Sequence, residues 1–322
     1  MTDSSIAIED RATGRPRSVA IHECGDPSGA PLIHFHGTPG SRLEADFGHE
    51  IAARAGVRVI GFDRPGYGAS DAAPISAVGI AHDAESIADH LGLERFAVSA
   101  WSGGTAFALA TAAVLPERVS RVGIAGGLAP FDRMPGAHDS LSPNDLEALA
   151  QLPADPARAA GLFRTGNADT LGAMLSVRDD EAAPWIDWMF ASSDAEVVAR
   201  PEGRRALAVN FREALRQGTD AIAWDNVAFV GPWGVQVEDV VAPVLLWYGD
   251  RDEMVPPTNG QWLAEHLAHA HLTVYPGEGH LVPLTHWAEI LRALTVDHRP
   301  AESLMEDQLR GTGHNDPVVF RN

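Results

Sequence analysis

With 322 residues, 45% of them hydrophobic, the chain can build one large α/β domain or two modest ones around a sizeable core, which excludes a disordered or fibrous protein. The formal net charge of -20 at pH 7, from 24 Lys+Arg against 44 Asp+Glu, argues against nucleic acid or an anionic membrane as a partner. Every strongly basic side chain is arginine; without a lysine there is no Schiff base, no PLP anchor, no Ser-Lys dyad and no Walker-type phosphate loop, which leaves hydroxyl, imidazole and carboxylate chemistry.

In chain order, "SIAIED" and "RSVAIHECG" read as two strands of a hairpin. The start has neither the basic nor the apolar region of a signal peptide, and no apolar run is long enough to span a bilayer, so the expectation is a cytoplasmic protein. Cys24, the single cysteine, lies in a polar turn, excludes an internal disulfide and reads as incidental. "PLIHFHG" follows as a buried strand, "SRLEADFGHEIAARAG" as an amphipathic helix, and "VRVIGFD" as the next strand. "ISAVGIAHDAESIADHLGL" is a helix, "RFAVSA" a strand, "GTAFALATAAVLP" a helix apolar all round, and "SRVGIAGG" a strand. This alternation predicts parallel βαβ units in a doubly wound sheet.

From Phe131 to about Asp239 only helical pieces follow, broken by prolines and glycines, which predicts a helical cap over 131–239 inserted between core segments 1–130 and 240–297. Sheet signals resume at "VVAPVLLWYGD", then come the helix "NGQWLAEHLAHA", the strand "HLTVYPG" and the helix "LTHWAEILRALTV". The polar segment 298–322 reads as a peripheral tail.

The reactive residue types fall at strand ends. Ser102 follows "RFAVSA", Asp252 follows "PVLLWYGD", and His280 follows "HLTVYPGEG". In a parallel sheet the carboxyl ends of strands share one edge, so these residues can converge there. A serine hydroxyl needs a base to take its proton, and the base works best when a carboxylate fixes its tautomer. The chain order is Ser, then Asp, then His, and along the chain stand "HGTPGS", "DRPGYGAS", "AWSGG", "GDRD" and "GEGH". On these five motifs, from His36 to His280, the chain resembles the α/β-hydrolase superfamily, in its cap-bearing serine hydrolase branch of esterases and proline iminopeptidase-like enzymes; the resemblance covers roughly Ser18 to Val296.

The resemblance implies a mostly parallel eight-stranded, doubly wound sheet. It also implies Ser102 as nucleophile, His280 as base, Asp252 as orienting carboxylate, and the amides of Thr38 and Gly103 as oxyanion donors. Asp250 is the rival carboxylate, expected to turn the loop, and Asp132 a remoter one. The "DRPGYGAS" loop is expected to be structural. Ala100 stands where the nucleophile-elbow pattern of that superfamily, G-x-S-x-G, has its first glycine, and adds only one methyl group. Among the cap aromatics, Trp185 and Trp188 lie one helical turn apart and, with Trp101, are expected to line the substrate pocket.

The expected activity is cleavage of a small or medium hydrophobic ester without metal or cofactor. A proline iminopeptidase-like amidase using the acids Asp179, Asp180, Glu181 and Asp187, a carbon–carbon bond hydrolase, and a receptor with slow turnover are the alternatives. A metal site at His34/His36 or His266/His269/His271 is not expected, because neither group comes with further ligands.

Overall fold

The computed structural model describes residues 1–11, 13–190, 192–295 and 318–320. Strands β1 (Thr2–Asp10) and β2 (Arg15–Gly25) form the hairpin, and β3 (Ala30–Phe35) enters the centre of the sheet. The expected single helix after it is two pieces: a 3-10 turn over Arg42–Gly48 and a short helix α1 (His49–Arg54). The break falls at Gly48, where an added Cβ would lie 2.5 Å from Trp287 Cδ1, so the chain turns where it passes closest to that indole. Strand β4 (Val57–Phe62), helix α2 (Ala77–His90), strand β5 (Phe96–Trp101), helix α3 (Thr105–Val114) and strand β6 (Val119–Ala125) continue the alternation.

Between β6 and β7 the described residues form helices and no strand: α4 (Pro143–Leu149), α5 (Pro156–Gly166), α6 (Ala168–Val177), α7 (Trp185–Met189), α8 (Ala195–Val198), α9 (Pro201–Ala214) and α10 (Asp220–Val230). Prolines at the first turn of α4, α5 and α9 start those helices where a missing N–H costs nothing. Strand β7 (Val244–Gly249), helix α11 (Thr258–His266), strand β8 (Ala270–Tyr275) and helix α12 (Val282–Thr295) complete the core.

The sheet order is β1-β2-β4-β3-β5-β6-β7-β8-β9, parallel from β4 through β8 and antiparallel at both edges. The eight strands form the expected sheet, and a short ninth, β9 (Val318–Phe320), adds to the β8 edge from the segment expected to be a peripheral tail; most of that segment lies outside the described residues. Strands β5 and β7 are buried along their whole length, as strands covered by helices on both faces must be. Helix α3 is buried from Thr105 to Ala112, which explains its lack of a polar face. Among the described residues no helix is long and apolar enough to cross a membrane.

Candidate active site

Strand β5 delivers Ser102 at a sharp turn. Its φ is +53°, a left-handed conformation that a serine adopts only where its surroundings enforce it. The residues that follow pass close to their neighbours. A Cβ at Gly104 would lie 2.4 Å from the Phe35 carbonyl oxygen of β3, so the chain after Ser102 passes against the neighbouring strand's end. A Cβ at Gly103 would lie 2.8 Å from Thr38 Oγ1, which places these two residues side by side. Ala100 fits within β5, in register with Phe35 on one side and Ile124 on the other, and the turn forms with alanine at that position.

Asp252 and His280, beyond the ends of β7 and β8, meet. His280 Nδ1 lies 2.7 Å from Asp252 Oδ2, and both residues are buried. The other oxygen, Asp252 Oδ1, accepts the amides of Met254 at 2.9 Å and Val255 at 2.8 Å, so the carboxylate is held at both ends. Asp250 instead accepts the amide of Gly277 at 2.7 Å, the turn-forming role expected of it, and Asp132 is exposed. Gly126, with φ +52°, makes room: a Cβ there would lie 3.0 Å from His280 Nδ1 and 3.3 Å from Asp252 Oδ2. The Trp101 indole N–H donates to the His280 carbonyl at 3.0 Å, with the two rings 5.3 Å apart.

The "HGTPG" segment rests on two buried carboxylates that the sequence motifs did not single out. Asp225 of α10 accepts from Arg64 Nε at 2.9 Å, from the Tyr67 hydroxyl at 2.7 Å and from the Thr38 hydroxyl at 2.6 Å. Arg64 and Asp225 are both fully buried, and Arg64 also donates to the carbonyls of His36 at 2.6 Å and Gly37 at 3.0 Å. Glu44 accepts the Gly37 amide, His34 Nε2 lies 2.9 Å from it, and Asn210 of α9 donates to it at 3.1 Å. The "DRPGYGAS" loop is therefore structural in a specific sense: its arginine and tyrosine tie the Thr38 segment to α10.

Burial, together with the neighbouring Arg64 charge, holds His36 well below the usual imidazole range, so it stays neutral beside the guanidinium. His34 and His36 both have protein partners through their two ring nitrogens, which accounts for the H-x-H pair without a metal.

Ser102 and His280 open into one pocket, lined also by Gly37, Thr38, Pro39, Trp101, Trp185, Met189, Phe190, Leu207, Asn210, Phe211 and Met254. Trp101 and Trp185 stand where expected; Trp188 does not. Helix α7 has only five residues, and its inward face carries Trp185, Ile186 and Met189, so Trp188 points outward and is 58% exposed. Trp185 stacks on Phe211 with centroids 3.8 Å apart, which fixes the orientation of α7. A second cavity of about 250 Å³ shares Thr38, Pro39 and Met189 with the first and extends under α5, α6 and α10. Of the insertion's acids, Asp187 pairs with Arg204 at 2.8 Å and Asp179 with Arg178 at 3.1 Å; neither these nor Asp180 and Glu181 line the pocket.

Residues 30–286 match a family model described as the alpha/beta hydrolase fold. Curated relatives include a 2-hydroxy-6-oxononadienedioate/2-hydroxy-6-oxononatrienedioate hydrolase from Klebsiella pneumoniae, 26% identical over 85% of this chain and 88% of that one. Another is a 2-hydroxy-6-oxo-6-phenylhexa-2,4-dienoate hydrolase from Burkholderia cepacia, 25% identical over 92% of this chain and 96% of that one. Among solved structures, a thermophilic esterase from Thermogutta terrifontis superposes with a TM-score of 0.65 at 20% identity over 95% of this chain and 98% of that one. A bromoperoxidase from Bacillus anthracis gives 0.64 at 19% over 90% and 98%. The two structural likenesses speak for the fold, and the family match spans the strand-end motifs that carry the site; the chain belongs to the α/β-hydrolase family.

Proposed function

We propose that the protein is a serine hydrolase that cleaves a neutral, small or medium hydrophobic carboxylic ester through an acyl-enzyme. The observation that carries this reading is the buried His280–Asp252 pair facing Ser102 across a pocket of mostly apolar side chains. Ser102 Oγ attacks the ester carbonyl carbon as its proton passes to His280 Nε2, and Asp252 stabilises the imidazolium through Nδ1. The amides of Thr38 and Gly103 take the oxyanion, a contribution of about 3 to 4 kcal/mol per donor. The tetrahedral intermediate collapses, the alcohol leaves with the proton from His280, and water repeats the sequence to free the acid.

Substrate size and charge follow from the walls. The reaction pocket encloses about 20 Å³, so the bulkier half of the substrate goes to the adjoining cavity of about 250 Å³; a cavity of about 150 Å³ already holds benzene. Among the described residues lining the reaction pocket, His280 is the only ionisable side chain of the acidic or basic types. A carboxylate buried there without a cationic partner carries a large desolvation cost, which favours neutral esters over dianionic acids.

Carbon–carbon bond hydrolysis is the second reading, supported by the relatives named for it. A panel of p-nitrophenyl esters alongside vinylogous diketone acids decides between them: ester turnover is expected to exceed diketone cleavage by orders of magnitude. The reverse ratio overturns the ester reading, and no turnover of either, with stabilisation by ligand, turns the reading to a receptor. Ser102→Ala is expected to abolish labelling by a fluorophosphonate probe, and surviving label would put the nucleophile elsewhere.

A further inference from the structure

The backbone of His280 is held from both sides. Its carbonyl accepts the Trp101 indole N–H at 3.0 Å, from the strand that carries Ser102. Its amide donates to Asp194 Oδ2 at 2.9 Å, and the next amide, of Leu281, donates to Asp194 Oδ1 at 3.0 Å. One carboxylate thus spans the two peptide units that lead into α12. Asp194 belongs to the helical insertion, just ahead of α8, and lies 86 residues from His280 in sequence. It is buried, and a Cβ at Gly279 would come within 2.4 Å of its carboxylate, so the glycine preceding His280 is what admits it.

Burial raises the Asp194 pKa, and the two amide bonds offset part of that cost. The first amides of a helix have no partners within it, and an acidic group there gains charge-assisted bonds and the helix dipole. Here that group comes from another part of the fold. Of the three contacts that fix His280, those through Asp252 and Trp101 come from the core, and the one through Asp194 comes from the insertion.

The geometry points to Asp194 as a positioning residue that sets the imidazole of His280 against Ser102, so that the general base is correctly placed only while the helical insertion is seated on the core. This rests on the reading of His280 as that base. A loop relieved of both bonds lets the ring drift, and a misplacement of about 1 Å costs roughly 100-fold in rate. Substrate binding is unaffected, because Asp194 is not among the residues lining the pocket.

Three variants test it on the full chain with the best p-nitrophenyl ester. Asp194→Ala is expected to lower kcat roughly 10- to 100-fold with KM within about 2-fold, and to slow fluorophosphonate labelling of Ser102 in the same proportion. Asp194→Asn keeps one acceptor oxygen but turns a donor toward the second amide, so its kcat is expected between the two. Gly279→Ala, which leaves Asp194 in place but crowds its carboxylate, is expected to reproduce the kcat loss.

A kcat equal to the parent protein's in Asp194→Ala overturns the proposal, as does a loss confined to KM. So does a kcat in folded Gly279→Ala equal to the parent's, even if Asp194→Ala fails to fold. Failure of the underlying reading looks different: the parent protein itself then turns over no ester, or keeps its label in Ser102→Ala.

Discussion

Ser102 shows how much local geometry a single side chain requires. It sits at φ +53° in a turn so close to its neighbours that a Cβ on Gly104 would meet the Phe35 carbonyl and one on Gly103 the Thr38 side chain. The strand-end positions of Ser102, Asp252 and His280 were legible in the sequence, because a strand-to-turn boundary is a local signal. The side of α7 that faces inward was not: two tryptophans three residues apart define a face, but only packing against Phe211 selects which of them it buries. At this scale the sharpest expectation concerns Asp252. Asp252→Asn preserves volume and can still accept the two loop amides, but it presents the wrong partner to His280 Nδ1. Steady-state kinetics are expected to give a kcat lower by on the order of 10³ to 10⁴ with KM little changed, and a variant within 10-fold of the parent would remove Asp252 from the mechanism.

Elements from distant parts of the sequence cooperate to hold the Thr38 segment. Helix α10 brings Asp225, helix α9 brings Asn210, and the turn after β4 brings Arg64 and Tyr67. The loop that holds Arg64 and Tyr67 was marked as structural by its motif, but Asp225 and Asn210 were not legible beforehand, since a carboxylate on a helix apolar on most sides gives no sign of the cation it will meet; the one available hint was a lone acid, Asp225, within the apolar run "AIAWDNVAFV". Replacing Asp225 with Asn leaves the Arg64 guanidinium buried without its counter-ion. Removing one partner of such a pair costs about 3 to 5 kcal/mol. Denaturant unfolding is expected to register a loss of that order, and the ester assay a lower kcat through a loosened Thr38; an unchanged midpoint would mean that water reaches the guanidinium.

Helix α12 carries a separate electrostatic element. His286 is partly buried, which disfavours its charge, yet Glu278 at 3.5 Å and Glu289 at 3.7 Å outweigh burial and push its pKa up to about 9. Because the folded value lies above the ordinary imidazole value of 6.5, the stabilisation is fully present below pH 6.5 and is lost as pH rises through about 9. The melting temperature is therefore expected to fall over that interval in the parent protein and to stay flatter in His286→Gln. Parallel curves for the two would assign the alkaline loss to other groups.

At the scale of the molecule, the alternation of strands and helices announced the parallel sheet, and the run of proline- and glycine-broken helices announced the insertion. What the pattern could not announce was the pairing of β9 with β8, because three residues in a polar tail carry too little periodicity to mark an edge strand. The 3-10 turn at Arg42–Gly48 escaped for a similar reason: its apolar spacing suits either helix type, and the contact of Gly48 with Trp287 decides between them.

The place of the insertion has a consequence for dissection. Ser102 lies before it, and Asp252 and His280 lie after it, with β6 and β7 pairing in parallel across the gap. A chain divided in the exposed stretch near Asp139 gives two fragments, neither of which contains all three of Ser102, Asp252 and His280. Co-expressed, the fragments 1–138 and 139–322 are expected to reassociate along the β6–β7 seam and restore ester hydrolysis, while each alone stays silent. The fold would thus serve as a complementation pair whose signal reports the rejoining of β6 to β7 together with the seating of α9, α10 and α12 on the first fragment.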